Sequence, residues 1–178
     1  MKLLIASDIH GSAFYTAKLK ERFIAENADK LILLGDIYNH GPRNPFPKDY
    51  APQEVAEILN GLKDRLIVVK GNCDSQVDTL ISEFDFIEDC CIVTENKTVL
   101  CTHGHIYNKG NMPATRYDAV VYGHFHTGFI ERVNGTVVAN AGSVSLPKND
   151  APRSYIILDG TRLSLKTLDG ETVAETTI

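Results

Sequence analysis

The chain has no apolar run near the roughly 20 residues that a membrane-spanning helix requires. Met1-Lys2 leads directly into Leu3-Leu4-Ile5-Ala6, too short an apolar stretch for a secretory signal. A cytoplasmic protein is therefore expected. The four cysteines, Cys73, Cys90, Cys91 and Cys101, form no C-x-x-C pair, and two are adjacent. That excludes a disulfide framework and a structural zinc site. There is no Lys/Arg cluster, and the net charge is −5, so no extended nucleic-acid footprint is expected. An anionic substrate stays open, because bound cations can outweigh the mean surface charge locally. Internal repeats and low-complexity linkers are also missing. With 178 residues, 43% hydrophobic and 23% charged, a single domain over 1–178 with a proper core is expected, not a disordered chain.

What is present alternates in period. Lys2–Ser7, Lys30–Leu34 and Leu66–Val69 are compact apolar runs of the kind buried on both faces of a sheet. Ser12–Asn27 carries Tyr15, Leu19 and Phe23 at four-residue spacing, one face of a helix. Val55, Ile58, Leu59 and Leu62 give a second helical stripe, with Pro52 just ahead at a usual helix start. The order is βαβαβ, which predicts parallel strands with right-handed crossovers. Val99–Thr102 and Ala119–Tyr122 are further short strands, and Leu163–Lys166 alternates as a half-buried one. Asn134-Gly135, Asp159-Gly160 and Asp169-Gly170 each separate β-prone stretches, a hairpin signal. A second sheet packed on the first follows. His40–Pro52, with four prolines, reads as a long ordered loop of functional importance.

Five motifs close these apolar runs: Asp8-Ile9-His10, Gly35-Asp36, Gly71-Asn72, Thr102-His103-Gly104-His105 and Gly123-His124-Phe125-His126. Five of the six histidines lie in them. Scattered core histidines would not fall repeatedly at strand ends. Ligands of an open α/β sheet collect beyond the carboxyl ends of its strands, so one rim should present all of these side chains. Asp8 and His10 are two apart, as are His124 and His126; on extended chain that spacing points both side chains the same way. Carboxylate, amide and imidazole donors suit mid-series divalent ions and do not choose among manganese, zinc, iron and nickel; manganese is the first expectation. Two such ions bring four positive charges and Asp8 with Asp36 supplies two negative ones. The remainder matches one hydroxide and one phosphodiester anion. Two ions about 3.5–4 Å apart can lower the pKa of bound water to about 7 and clamp a phosphoryl group.

The ordered set D-x-H, G-D, G-N, H and G-H-x-H resembles the calcineurin-like metallophosphoesterases. Gly35–Asn44, Gly71-Asn72-Cys73-Asp74-Ser75 and Gly142-Ser143-Val144-Ser145 are similar to the small bacterial YfcE-type phosphodiesterases. The resemblance implies a four-layer α/β/β/α sandwich of two mixed sheets flanked by helices. It implies that Asp8, His10, Asp36 and His126 hold one ion and that Asp36, Asn72, His103 and His124 hold the other, with Asp36 bridging. The implied activity is hydrolysis of a small phosphodiester through attack by a hydroxide bridging the ions, with self-association as a further implication. Asp36 and His103 are the catalytic candidates, with His105 as leaving-group acid. Asn72, Arg43 and Cys73 are the substrate-binding candidates.

One departure bears on specificity. Many larger family members carry His after G-N, whereas this chain has Cys73, a poor proton donor if cations beside it ionise the thiol. That disfavours alkyl phosphomonoesters, whose leaving groups most need a proton. A phosphomonoesterase or cyclic-nucleotide phosphodiesterase of the same fold is one alternative. A catalytically silent binding module, like the retromer subunit that resembles this family, is another, but such a module should have lost ligands. Asn39 and His40 are assigned to lid packing or substrate contact. Cys90, Cys91, Cys101, Phe84, Phe86, Tyr107 and Tyr117 are assigned to strands and core.

Overall fold

The computed structural model describes residues 1–178. In chain order it contains β1 (Lys2–Ala6), α1 (Ala13–Ala25), β2 (Lys30–Leu33), α2 (Pro52–Asn60), β3 (Leu66–Val69), β4 (Phe86–Ile87), β5 (Cys90–Thr94), β6 (Lys97–Cys101), β7 (Ala119–Tyr122), β8 (Phe129–Val133), β9 (Thr136–Asn140), β10 (Ser154–Asp159), β11 (Arg162–Thr167) and β12 (Thr172–Thr177). They form two mixed sheets. The first has the order β12-β11-β10-β1-β2-β3-β4 and the second β5-β6-β7-β9-β8. Strands β1 to β4 run parallel, as the βαβαβ reading requires, and β10 joins β1 antiparallel.

Alternation within β1 explains why its sequence reads as an unbroken apolar run. Leu3 and Ile5 face the second sheet and pack in one core with Val99, Val121, Val137 and Ala139. Leu4 and Ala6 face the other way, into a core with Leu19 and Phe23 of α1 and Val55 and Leu59 of α2. Both faces are therefore removed from water, and each side chain fully buried there contributes about 1.5–3 kcal/mol. Helix α1 starts where Ser12 accepts the Tyr15 N–H at 3.3 Å, and Pro52 opens α2 at a position where its missing donor leaves nothing unpaired. No helix is long and apolar enough to cross a membrane.

Both α-helices cover the first sheet. The outer face of the second sheet (Leu100, Val120, Tyr122 and Val138) is covered by Tyr107, Met112 and Tyr117 of the irregular segment 104–117. The architecture is the expected sandwich of two mixed sheets with flanking layers, and in segment 104–117 Gly104, Gly110 and Pro113 keep the backbone irregular. The three predicted hairpins exist, but only the one at Asn134-Gly135 lies in the second sheet; those at Asp159-Gly160 and Asp169-Gly170 extend the first. A fourth hairpin, β5–β6, turns at Glu95 and Asn96, which both adopt positive φ (46° and 64°) without a glycine.

Candidate metal centre

Beyond the strand ends, the backbone itself is laced into a platform. The N–H groups of Asp8, His10 and Gly11 donate to the carbonyls of Gly35, Asp36 and Ile37 at 3.1, 2.9 and 2.8 Å. This continues the β1–β2 pairing through the two acidic motifs and places Asp8 and His10 beside Asp36. In the second sheet the Gly123 N–H donates to the His103 carbonyl at 2.9 Å, joining the loops after β6 and β7. All seven candidate ligands therefore stand at the carboxyl ends of parallel strands β1, β2, β3, β6 and β7, as expected.

The local conformation is not the extended one assumed for the two-residue spacings. Asp8 (φ 58°), His10 (52°), Asp36 (54°), His124 (64°) and His126 (61°) all sit in the left-handed region. Such residues cost of order 1–3 kcal/mol each and persist where surroundings over-determine them. Here the determinants are visible. Ser143 and Ser145 both donate their hydroxyls to the Asp8 carbonyl, at 2.7 and 3.1 Å. The Asn140 side chain bonds the Gly123 carbonyl and the Gly142 N–H. Left-handed turns send His124 and His126 to different sides of the centre: His126 Nε2 lies 3.2 Å from Asp8 Oδ1, whereas His124 Nδ1 lies 3.2 Å from His103 Nε2.

Two donor clusters result. In the first, His10 Nε2 is 3.5 Å from Asp8 Oδ1, 3.8 Å from Asp36 Oδ2 and 3.2 Å from His126 Nε2. In the second, His103 Nε2 is 3.6 Å from Asp36 Oδ2 and 3.0 Å from Asn72 Oδ1. One carboxylate oxygen, Asp36 Oδ2, belongs to both. Neighbouring donors around an ion with bonds of about 2.0–2.2 Å lie about 3.0–3.6 Å apart; the spacings match this, apart from the slightly longer 3.8 Å between His10 Nε2 and Asp36 Oδ2.

The hydrogen-bond chemistry makes the same point independently. His10 Nδ1, His103 Nδ1 and His126 Nδ1 each face a backbone carbonyl, of Asn39 (2.7 Å), Leu34 (2.7 Å) and Leu146 (2.6 Å). A carbonyl only accepts, so these nitrogens carry the proton and each Nε2 turns a lone pair inward. Those lone pairs meet one another and the oxygens of Asp8, Asp36 and Asn72, a concentration of acceptors that cations convert from repulsion to coordination. Asp8 Oδ1 is buried with no hydrogen-bond partner, while Asp8 Oδ2 accepts the His124 N–H and Asp36 Oδ1 the Cys73 N–H, both at 2.8 Å. The residues fit divalent ions.

Asn72 is exposed and His124 half-buried, so the cage opens on that side, into a cleft of about 760 Å³ whose lining includes Asn39, Arg43, Asn72, Cys73 and Lys148. Arg43 and Cys73 thus both line the cleft beside the cage. The Cys73 thiol lies within 4.8 Å of donor atoms of His10 and Asp36. Without cations beside it, burial and the Asp36 carboxylate push it up to about 12. His105 is exposed at the margin, its ring 5.3 Å from His103 and 6.3 Å from His124. Asn39 serves His10 through its carbonyl, and His40 packs between Phe46 and Tyr50. Cys90, Cys91 and Cys101 are strand residues; Phe84, Phe86, Tyr107 and Tyr117 pack on the cores.

A model of the calcineurin-like phosphoesterase superfamily domain matches residues 1–162. The chain belongs to the calcineurin-like phosphoesterase superfamily. Phosphodiesterase YfcE of Escherichia coli strain K12 is 42% identical over 175 residues, covering 97% of this chain and 95% of that protein. The solved structure of YfcE, described as a phosphoesterase from E. coli, superposes with a TM-score of 0.95 at 41% identity over 100% of both chains. Phosphodiesterase MJ0936 of Methanocaldococcus jannaschii is 28% identical over 151 residues, 80% of this chain and 83% of its own. Vps29 from Entamoeba histolytica has a TM-score of 0.65 at 20% identity, covering 100% and 99% of the chains, and shares the fold alone.

Within this calcineurin-like centre, one residue escaped the ligand-centred reading. Asp74 is buried, and its carboxylate accepts the N–H groups of Asp36, Ile37 and Gly71, each at 2.8 Å. It ties the loop bearing the shared carboxylate to the loop bearing Asn72. Burial pushes its carboxyl up to about 6 against those three donors. The signal was an acid two residues after Asn72 within a short post-strand turn. Asp74→Asn replaces one acceptor oxygen by an N–H₂ aimed at backbone N–H, so a loss of about 2–3 kcal/mol in chemical denaturation is expected. An unchanged midpoint would show that these bonds contribute nothing.

Proposed function

We propose that the protein is a dinuclear-metal phosphodiesterase acting on small phosphodiesters. The observation that carries this reading is the pair of inward-facing donor clusters sharing Asp36 Oδ2, with the histidine protons held on the far nitrogens. Asp8, His10, Asp36 and His126 would hold one ion and Asp36, Asn72, His103 and His124 the other. Two divalent ions supply Lewis acidity and bring bound water to a pKa near about 7. The donor set of carboxylate, amide and imidazole suits manganese, zinc, iron or nickel without ranking them; of these we place manganese first.

The chain's own residues do the rest. Carbonyls of Leu34, Asn39 and Leu146 fix the imidazole orientations, so the donors need no rearrangement as charge develops. Asn72, at the open side, borders the place where a phosphoryl oxygen meets the centre. Arg43 orients the diester from the cleft wall, and Cys73 shapes its floor. His105, at the margin beside His103, is the candidate donor to the leaving group. With a thiol where a histidine would stand after Gly71-Asn72, diesters with low-pKa leaving groups suit the site better than alkyl monoesters. The intact ligand set argues against a silent binding module.

The test is protein stripped with a chelator, reloaded with manganese, and assayed on bis(4-nitrophenyl) phosphate and on glycerol phosphate. Metal-dependent turnover of the diester, at least about tenfold above the monoester, is the expected outcome. Reloaded protein that binds two ions per chain and leaves the diester intact would refute the assignment.

A further inference from the structure

The cleft beside the centre is far larger than a phosphodiester group needs, and its lining carries chemistry that the metal ligands do not use. Phe125 stands between His124 and His126 with 48% of its surface exposed. Its ring meets the His124 ring edge-on, with centroids 5.0 Å apart and planes at 81°. A large apolar side chain left half in water within a polar cleft is a surface for a flat apolar ligand group. Two cations, Arg43 and Lys148, also line the cleft, and both are exposed. Neither forms an ion pair within the chain, although lysines at 2, 63, 97, 109 and 166 do. In a protein of net charge −5, two unpaired cations facing one cleft whose only acidic lining residue is Asp36 mark it for a further anion. Lys148 is held there by its backbone, its N–H donating to the His126 carbonyl at 3.1 Å.

We propose that this cleft selects diesters larger than the reacting group: a flat aromatic or heteroaromatic arm seats on Phe125, and a second anionic group on that arm is held by Lys148, leaving Arg43 to the reacting phosphate. The substrate class is a nucleotide-like diester bearing an additional phosphate. This rests on the phosphodiesterase reading and names the specificity of the same site. Phe125 and Lys148 are specificity-determining residues that bind the arm away from the scissile bond.

The test uses two pairs of chromogenic diesters on the manganese-loaded protein. Thymidine 5′-(4-nitrophenyl phosphate) is compared with its 3′-phosphorylated counterpart, and methyl 4-nitrophenyl phosphate with bis(4-nitrophenyl) phosphate. Wild type should favour the 3′-phosphorylated and the bis-aryl ester in kcat/KM by about tenfold each, the size of one stacking or charge-pair contact. Lys148→Ala should collapse the first ratio towards unity and Phe125→Ala the second, each through KM. A merely structural role would lower both members of a pair together and leave the ratio unmoved, which would overturn the proposal, as would a wild type that does not discriminate. Titration calorimetry with thymidine 3′,5′-bisphosphate gives a readout free of turnover. Binding about tenfold weaker in Lys148→Ala supports the site even if no diester is hydrolysed, an outcome that would count against the phosphodiesterase reading alone. Equal binding in both proteins overturns the proposal.

Discussion

Asp36→Asn should lower kcat/KM for an activated aryl diester by about a thousandfold or more and reduce the bound ions from two per chain to one or none. The expectation follows from one oxygen doing two jobs: Asp36 Oδ2 lies 3.8 Å from His10 Nε2 and 3.6 Å from His103 Nε2, within both donor clusters. The other oxygen is already committed, accepting the Cys73 N–H at 2.8 Å. An asparagine has no good orientation in this setting. If its amide oxygen keeps the Cys73 bond, the N–H₂ points at the ions; if it turns, two donors face each other across the Cys73 contact. The substitution also removes one of two formal negative charges that oppose the mutual repulsion of the two cations. Transition-state charge stabilisation by preorganised groups is the largest single term in such sites, so a defect shared by both ions exceeds a defect in one. His103→Ala provides the contrast, since its Nε2 reaches the second cluster only. It should lose one ion and keep the other. Elemental analysis alongside kinetics separates the two variants, and full activity with two ions in Asp36→Asn would remove the case for a shared carboxylate.

What could be read from the residues divides along a physical line. The parallel strands were legible because burial on both faces leaves continuous apolar runs, and β3 and β7 have the predicted bounds. The candidate ligands could be picked out because each follows such a run. Their conformation was not: Asp8, His10, Asp36, His124 and His126 are left-handed, a state that pattern assigns to glycine and that is imposed here by distant partners such as Ser143 and Ser145. The β5–β6 hairpin was invisible for a related reason, as Glu95-Asn96 occupies a turn that usually announces itself with Asn-Gly. Sheet membership of the tail hairpins was equally out of reach. Their alternation fits either sheet, and only the Lys2–Ile5 pairing with Ile156–Asp159 decides it. Asp74 shows the limit at the site itself: its role consists entirely of bonds to backbone N–H groups in two loops, and backbone partners leave no mark on composition.

Gly123→Ala should cost about 1–3 kcal/mol in stability and about a hundredfold in activity, although Gly123 binds no ion and its φ lies outside the left-handed region. A Cβ there would stand 1.9 Å from Ser7 Oγ, 2.5 Å from Ser7 Cβ and 2.6 Å from Asp8 Oδ2. This is the point where the loop after β7 in one sheet crosses the loop after β1 in the other. Ser7 is fully buried and Asp8 Oδ2 accepts the His124 N–H, so neither neighbour can move aside without shifting a ligand. The damage should therefore divide in two. Adding Ser7→Gly to Gly123→Ala removes the two contacts with Ser7 but leaves the one with Asp8. The double variant should regain much of the lost thermal stability, while ion affinity and kcat remain depressed because Asp8 is still displaced. Restoration of both together would mean that the approach of the two loops matters only for packing. Stability restored without activity would place the glycine where the geometry does, at the contact that sets one sheet's ligands against the other's.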